Sequence, residues 1–204
     1  MSEKLIELLM SWGINERLAT SQVEYLAGYT VPFAIWETIY TTVLATLFAY
    51  VIGLPLGIIL VTGEKAGIRP LPAALMKVLN TIVNLLRSVP FLILMVCVAP
   101  LSRLIVGTSI GTVASIVPLT LAAAPFVARV VESSLREMDR GVIEAAQSMG
   151  CSPWEIVTKV MLPECRPSLI TGLTTATITI LSYGAMAGII GGGIWGLIPA
   201  FFKT

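Results

Sequence analysis

Residues 142–163 read Val142-Ile143-Glu144-Ala145-Ala146-Gln147-Ser148-Met149-Gly150-Cys151-Ser152-Pro153-Trp154-Glu155-Ile156-Val157-Thr158-Lys159-Val160-Met161-Leu162-Pro163. This is the longest mixed polar segment between two strongly apolar ones, and its punctuation predicts two short helices around a turn. Gly150 stands where a helix C-terminus wants a residue at positive φ, which glycine takes without a Cβ penalty. Ser152, Pro153 and Glu155 then spell a helix start, with a capping serine, proline at the first position and glutamate at the third. Pro163 is expected to close the second helix, because it lacks an N–H and clashes with the preceding turn. The pair carries Glu144, Glu155, Lys159 and Glu164, as befits a segment in water beside a membrane.

Composition sets that membrane context. Of 204 residues, 56% are hydrophobic and only 12% charged, whereas a soluble domain carries about a quarter charged residues. The chain is read as an all-α integral membrane protein. A net charge of +1 gives no sign of a nucleic-acid partner. Cys97, Cys151 and Cys165 have neither Cys-x-x-Cys nor metal-ligand spacing, and the chain has no histidine, so no metal site, cofactor or disulfide framework is expected. The thiols read as small apolar fillers or reduced cytosolic groups.

Residues 1–30 do not form a secretory signal, because Glu3, Lys4 and Glu7 interrupt the apolar run. Leu5, Leu8, Leu9 and Trp12 share one helical face, which predicts an amphipathic helix on the membrane surface with Trp12 at the headgroups. The first span is expected over 31–61, with Gly53, Pro55 and Gly57 marking a kink or a close helix approach. The second is expected over 76–100. Its first half carries Lys77, Asn80, Asn84 and Arg87 as one stripe, which is too costly to face lipid. That stripe is either a helix half emerged into the cytosol with snorkelling cations, or the inner wall of a solute pathway. The third span is expected over 112–131, with Pro118 and Pro125 on roughly one face, and the fourth over 168–190. The fourth is rich in hydroxyls and small residues, including Gly184-x-x-x-Gly188, which reads mainly as close helix packing. Tyr183 and Met186 are its substrate-side candidates. Loop 132–167 joins the third and fourth spans.

Lys65, Arg69, Lys77, Arg129, Arg136, Arg140, Lys159 and Arg166 fall on one side of these spans, against Lys4, Arg17, Arg103 and Lys203 on the other. The positive-inside rule therefore places loop 132–167 in the cytosol and the N-terminus outside.

Two apparent chemical motifs fail on context. Gly107-Thr-Ser109-Ile-Gly111 fits a hydrolase nucleophile elbow literally, but that chemistry needs a histidine base and the chain has none. Gly191-Gly-Gly193-Ile-Trp-Gly196 follows a membrane helix, with no downstream acidic residue to bind a ribose. No Gly-x-x-x-x-Gly-Lys-Ser/Thr occurs, so this chain is not read as the part that hydrolyses ATP, nor as an enzyme. An intramembrane enzyme lacks a catalytic constellation, and a passive channel would show a filter or rings of like charge.

Glu144-Ala145-Ala146, Gly150, Val160 and Leu162-Pro163 resemble the cytoplasmic coupling loop of bacterial ABC importer permeases, with valine for the usual isoleucine. The likeness runs from about Trp36 to Gly193 and is strongest to the methionine-uptake permeases. It is carried also by Trp36-Glu-Thr, Gly53-Leu-Pro-Leu-Gly57, Arg87-Ser-Val-Pro-Phe91, residues 100–111 and Ala124-Pro-Phe-Val-Ala-Arg129. The resemblance implies a type I importer transmembrane fold in the bacterial inner membrane, working as a homodimer. It further implies two cytosolic ATPase subunits, an extracytoplasmic substrate-binding protein, and methionine or another amino acid or small polar solute as cargo. Glu144 would be a polar anchor, Ala145 and Ala146 would permit close approach, and Gly150 would set the angle between the helices.

Permeases of this kind look like five-span proteins, whereas residues 194–202 make only about 14 Å of helix. The ending also departs from a Gly-Gly-Leu-Gly-Asp-Leu type of sequence. Codons such as ATT TGG GGA CTT, read one base later, give Phe-Gly-Asp, so a frameshifted or truncated, transport-incompetent permease stands as the alternative to a working one.

Overall fold

The computed structural model describes residues 31–187 apart from Ala66 and Ile110, together with Ser11. The rest of the expected surface helix over 1–30, Gly188 and the ending after Gly193 lie outside the described residues. All regular structure among the described residues is helical. Helix α1 is Val31–Thr62, α2 is Ala73–Ser88, α3 is Phe91–Val106, α4 is Thr112–Arg136 and α5 is Arg140–Ser148. A turn α6 (Pro153–Glu155), a π-helical segment (Ile156–Met161) and a turn α7 (Leu162–Glu164) lead into α8, Arg166–Ala187. Helices α1, α4 and α8 are long and apolar enough to cross a membrane, and α2 with α3 make a bent pair that passes the same test together.

Helix α4 is the axis of the fold. It packs against α1, α8, α3 and α2, and Leu119, Ala123, Val127, Val131 and Leu135 form a fully buried stripe at four-residue spacing. Small residues on α1 let it approach. A Cβ on Gly53 would stand 2.7 Å from Val127, and one on Gly57 2.6 Å from the backbone oxygen of Ala128. Of the two readings of the Gly-Pro-Gly stretch, close approach is the one observed, and α1 continues as one helix through Pro55. Large apolar side chains on the outer face of α1, such as Phe33, Trp36, Val43 and Val51, are exposed in the single chain, as expected of a surface that meets lipid or other spans.

Three boundaries differ from the sequence expectation. The second span is not one rod: α2 and α3 meet at 111°. Val89 is extended at φ −77°, ψ 126°, because proline disfavours the α region for its predecessor and Pro90 cannot donate to the turn before it. The third span runs on to Arg136, so the loop expected over 132–167 begins with helix. The fourth starts at Arg166.

The hydroxyls of α8 are mostly satisfied within their own helix. Those of Thr171, Thr174, Thr175, Thr177, Thr179 and Ser182 each donate to the carbonyl four residues earlier. Of its small residues, Gly172 is pressed against Val130, whereas a Cβ on Gly184 would meet no described residue within 4 Å. Close packing therefore accounts for one end of α8 and leaves the face at Gly184 open among the described residues.

Candidate functional site

The segment after α4 is built from local caps. Asp139 opens α5, its Oδ1 accepting the Gly141 N–H at 2.8 Å. The helix ends in a Schellman turn: the Cys151 N–H donates to Ala146 O at 3.2 Å and the Gly150 N–H to Gln147 O at 2.9 Å. Gly150 sits at φ +80°, the left-handed conformation that this turn requires. Ser152 then opens α6 with a full capping box, both the Ser152 side chain and the Glu155 side chain engaging the opposite backbone N–H.

The motif residues divide by exposure. Ala146 is buried, and Val160 and Leu162 pack against the same core, beside Ile156, Val157 and Met161. Glu144, Ala145, Met149 and Trp154 face outward; Met149 is 76% exposed and Trp154 74%. Two elements of one turn thus hold the backbone, and the exposed residues around it form a surface.

Pro163 does not close the second helix. The preceding turn is widened to a π-helix, with the Leu162 N–H donating to Val157 O, five residues back. The wider turn accommodates the proline ring and its missing donor. The helix breaks instead at Cys165, at φ −84°, ψ 5°. Ser168 at the head of α8 is tied to the end of α4 by 2.9 Å hydrogen bonds to Ser134 Oγ and Glu137 Oε2.

Electrostatics fix the exposed helix further. Lys159 Nζ donates to Glu155 Oε1 at 2.9 Å. That bond, with the Ser152 N–H and hydroxyl, pulls the Glu155 carboxyl down to about 2, and the same partner raises the Lys159 ammonium. Burial first, then Glu137 and Glu164, pushes the Cys165 thiol up.

The polar stripe of α2 divides between two places. Arg129 Nη2 donates to Asn80 Oδ1 at 2.8 Å and Asn84 Oδ1 at 2.9 Å. Its Nη1 meets Glu132 Oε2 at 2.5 Å. Glu132 also accepts from Arg136 at 2.8 Å, and Arg136 reaches Glu64 Oε1 at 2.5 Å. This chain of charges joins α2, α4 and the end of α1. It was not singled out from sequence, although Arg129, Glu132 and Arg136 at i, i+3 and i+7 share one helix face. Arg87 lies elsewhere, lining a cavity of about 140 Å³ with Leu86, Val89, Phe91, Ala122, Phe126 and Tyr183. Phe91 and Tyr183 stack there with centroids 4.8 Å apart and planes 4° from parallel. Met186 stands on the exposed side of α8, outside that lining.

Residues 53–200 match the family model described as binding-protein-dependent transport system inner membrane component. The probable D-methionine transport system permease protein MetI of Vibrio cholerae is 50% identical over 161 residues, covering 78% of this chain and 71% of that protein. The D-methionine transport system permease protein MetI of Escherichia coli K12 is 47% identical over 154 residues, covering 76% and 70%. A solved structure of the MetNI methionine ABC transporter in inward-facing conformations superposes with TM-score 0.76 at 47% identity, over 78% of this chain and 73% of that one. By sequence match and by fold, the chain belongs to the binding-protein-dependent inner-membrane transport components, the permease subunits of ABC importers.

Proposed function

We propose that this chain is the membrane-spanning subunit of an ATP-driven importer of methionine, working as a homodimer. Methionine is what its relatives in Vibrio cholerae and Escherichia coli are named for, and the superposing transporter carries the same substrate in its name. ATP hydrolysis belongs to separate ATPase subunits, and an extracytoplasmic substrate-binding protein delivers the cargo. The N-terminus lies outside and the capped turn in the cytosol, on the side rich in Lys65, Arg69, Arg136, Arg140, Lys159 and Arg166.

One observation carries the reading: a doubly capped helix pair whose inner face is core and whose outer face is free. Ala146, Ile156 and Met161 are at most 2% exposed, so the turn is anchored, while Glu144, Ala145, Gly150, Met149 and Trp154 are exposed. We assign the docking of the ATPase to that outer face. Val160, Leu162 and Pro163 act from behind, by holding the second helix against the core.

The test is ATP-dependent methionine uptake into vesicles by the assembled transporter. Glu144→Lys and Gly150→Asp should leave insertion and expression intact and abolish uptake. Undiminished uptake at normal expression would remove the coupling role.

A further inference from the structure

The cavity at Arg87 sits where the most buried helix is halfway through its length. Helix α4 has 25 residues, about 37 Å of rise, against a hydrocarbon core of about 30 Å. Ala122 and Phe126, which line the cavity, flank the middle residue of that helix, Ala124. The cavity is therefore near the bilayer midplane. An arginine at that depth is costly unless it faces water, a counter-charge or a ligand. Arg129 and Arg136 have their partners in Glu132 and Glu64. The Arg87 side chain makes no hydrogen bond or ion pair with any described residue; it is exposed and lines the cavity.

The backbone is broken at the same place. The 111° bend between α2 and α3 falls at 89–90, and Val89 is among the cavity residues. Irregular backbone at membrane depth is tolerated where it lines a cavity, and secondary transporters, a different class, hold their cargo at interrupted helices near the midplane. Three of the other lining side chains are aromatic, the stacked Phe91 and Tyr183 together with Phe126. A volume of about 140 Å³ holds roughly four to five waters at about 30 Å³ each. That is the scale of a small amino acid and not of a peptide.

We propose that Arg87 receives the carboxylate of the transported amino acid in this cavity, with its apolar side chain laid against Phe91, Tyr183 and Phe126. The proposal rests on the reading of the chain as an amino-acid importer permease. It gives separate roles to residues of one helix: Arg87 to cargo, Asn80 and Asn84 to holding Arg129.

The test uses the full transporter, permease with ATPase subunits and binding protein, in proteoliposomes. Arg87→Ala should cut methionine uptake at least tenfold, and Arg87→Lys should retain a measurable part of it, with both complexes eluting as intact assemblies. A direct readout is Val89→Cys on a background lacking Cys97, Cys151 and Cys165. Methionine should slow its reaction with a polar maleimide at least threefold, methioninol, which has no carboxylate, should not, and the protection should vanish when Arg87→Ala is added. Uptake by Arg87→Ala within twofold of wild type, or methionine protection that is indifferent to Arg87, overturns the proposal. If Arg87→Ala fails to assemble, the decision falls to Arg87→Lys, whose uptake without substrate protection overturns it too. Absence of methionine uptake by the wild-type transporter would instead strike the importer reading itself.

Discussion

Glu132→Ala should be the most damaging single polar substitution in the described helices. The Glu132 side chain is 8% exposed and neutralises two arginines, Arg129 at 20% and Arg136 at 48% exposure. Its removal leaves Arg129 largely buried beside two neutral amides, with its Nε already lacking a partner. Breaking a buried pair by deleting one member costs about 3–5 kcal/mol, since the remaining charge loses its compensation. The Glu64–Arg136 bridge is as short as Glu132–Arg129, at 2.5 Å, yet its side chains are 43% and 48% exposed. Solvent screens that pair, and deleting Glu64 should cost only about 0–1 kcal/mol. The shortest distance in each pair is the same, so distance alone would not separate the two.

Thermal unfolding of the purified transporter in detergent, followed by loss of monodisperse elution, separates the cases. At about 2–4 °C per kcal/mol for a chain of this size, Glu132→Ala should lower the midpoint by on the order of 10 °C, and Glu64→Ala by no more than about 4 °C. Glu132→Gln, which keeps the shape and one acceptor, should fall between. Adding Arg129→Leu to Glu132→Leu should recover part of the loss, because an apolar replacement removes the stranded charge. Equal midpoints for Glu132→Ala and Glu64→Ala would refute the argument that burial governs this network.

The small-residue contacts give a second contrast: Gly57→Ala presses a methyl onto the Ala128 carbonyl and should cost about 1–3 kcal/mol, whereas Gly184→Ala, with open space around it, should leave the same melting midpoint unchanged. Gly150→Ala should cost about 1–2 kcal/mol through its positive φ alone, seen as faster amide exchange over 150–152 with the core helices unaffected. The Glu155 carboxyl, at about 2 against an ordinary 4.5, has a depressed folded-state pKa, so what it contributes is complete above pH 4.5 and fades as pH falls towards 2. A carboxyl carbon NMR titration should find its midpoint near 2 and the Lys159→Met variant shifted upward; a midpoint near 4.5 in the wild type would contradict the bridge.

The legible parts of this molecule are those decided by neighbours in sequence. The turn at Gly150 and the start at Ser152 follow from φ preferences and capping distances within six residues, and both occur as read. The bend within the second span was missed for a local reason too: the span was drawn straight through Val89-Pro90, although a residue before proline leaves the α region. Pro163 shows the opposite case, because the rule that proline ends a helix assumes an α-turn before it, and here that turn is π. What pairing exists between distant residues was out of reach. The separation of Arg129 from Asn80 is 49 residues, and spacing within α2 showed a polar stripe without saying which atom would meet it. The same holds for Arg87 and Tyr183, named on different helices for different reasons and found lining one cavity.

These contacts bear on how a push on the capped turn would travel. Ala146 of α5 and Ile156, Val157 and Met161 of the π segment belong to the same buried cluster as Val131 and Leu135 of α4. Rotating the turn against α4 would open that cluster, and packed cores shift between discrete arrangements more readily than they deform. The Glu64–Arg136–Glu132–Arg129 chain binds the end of α1 and, through Asn80 and Asn84, helix α2 to the same body. Beyond Val89-Pro90 the chain stays tied to the same helix: α3 packs mainly on α4 and only lightly on α8. The turn, α1, α2, α3 and α4 therefore share one packed body, with the bend at 89–90 inside it, beside Arg87. On the proposed reading, closure of the ATPases moves this body as a unit and carries with it the wall of the cavity assigned to the cargo.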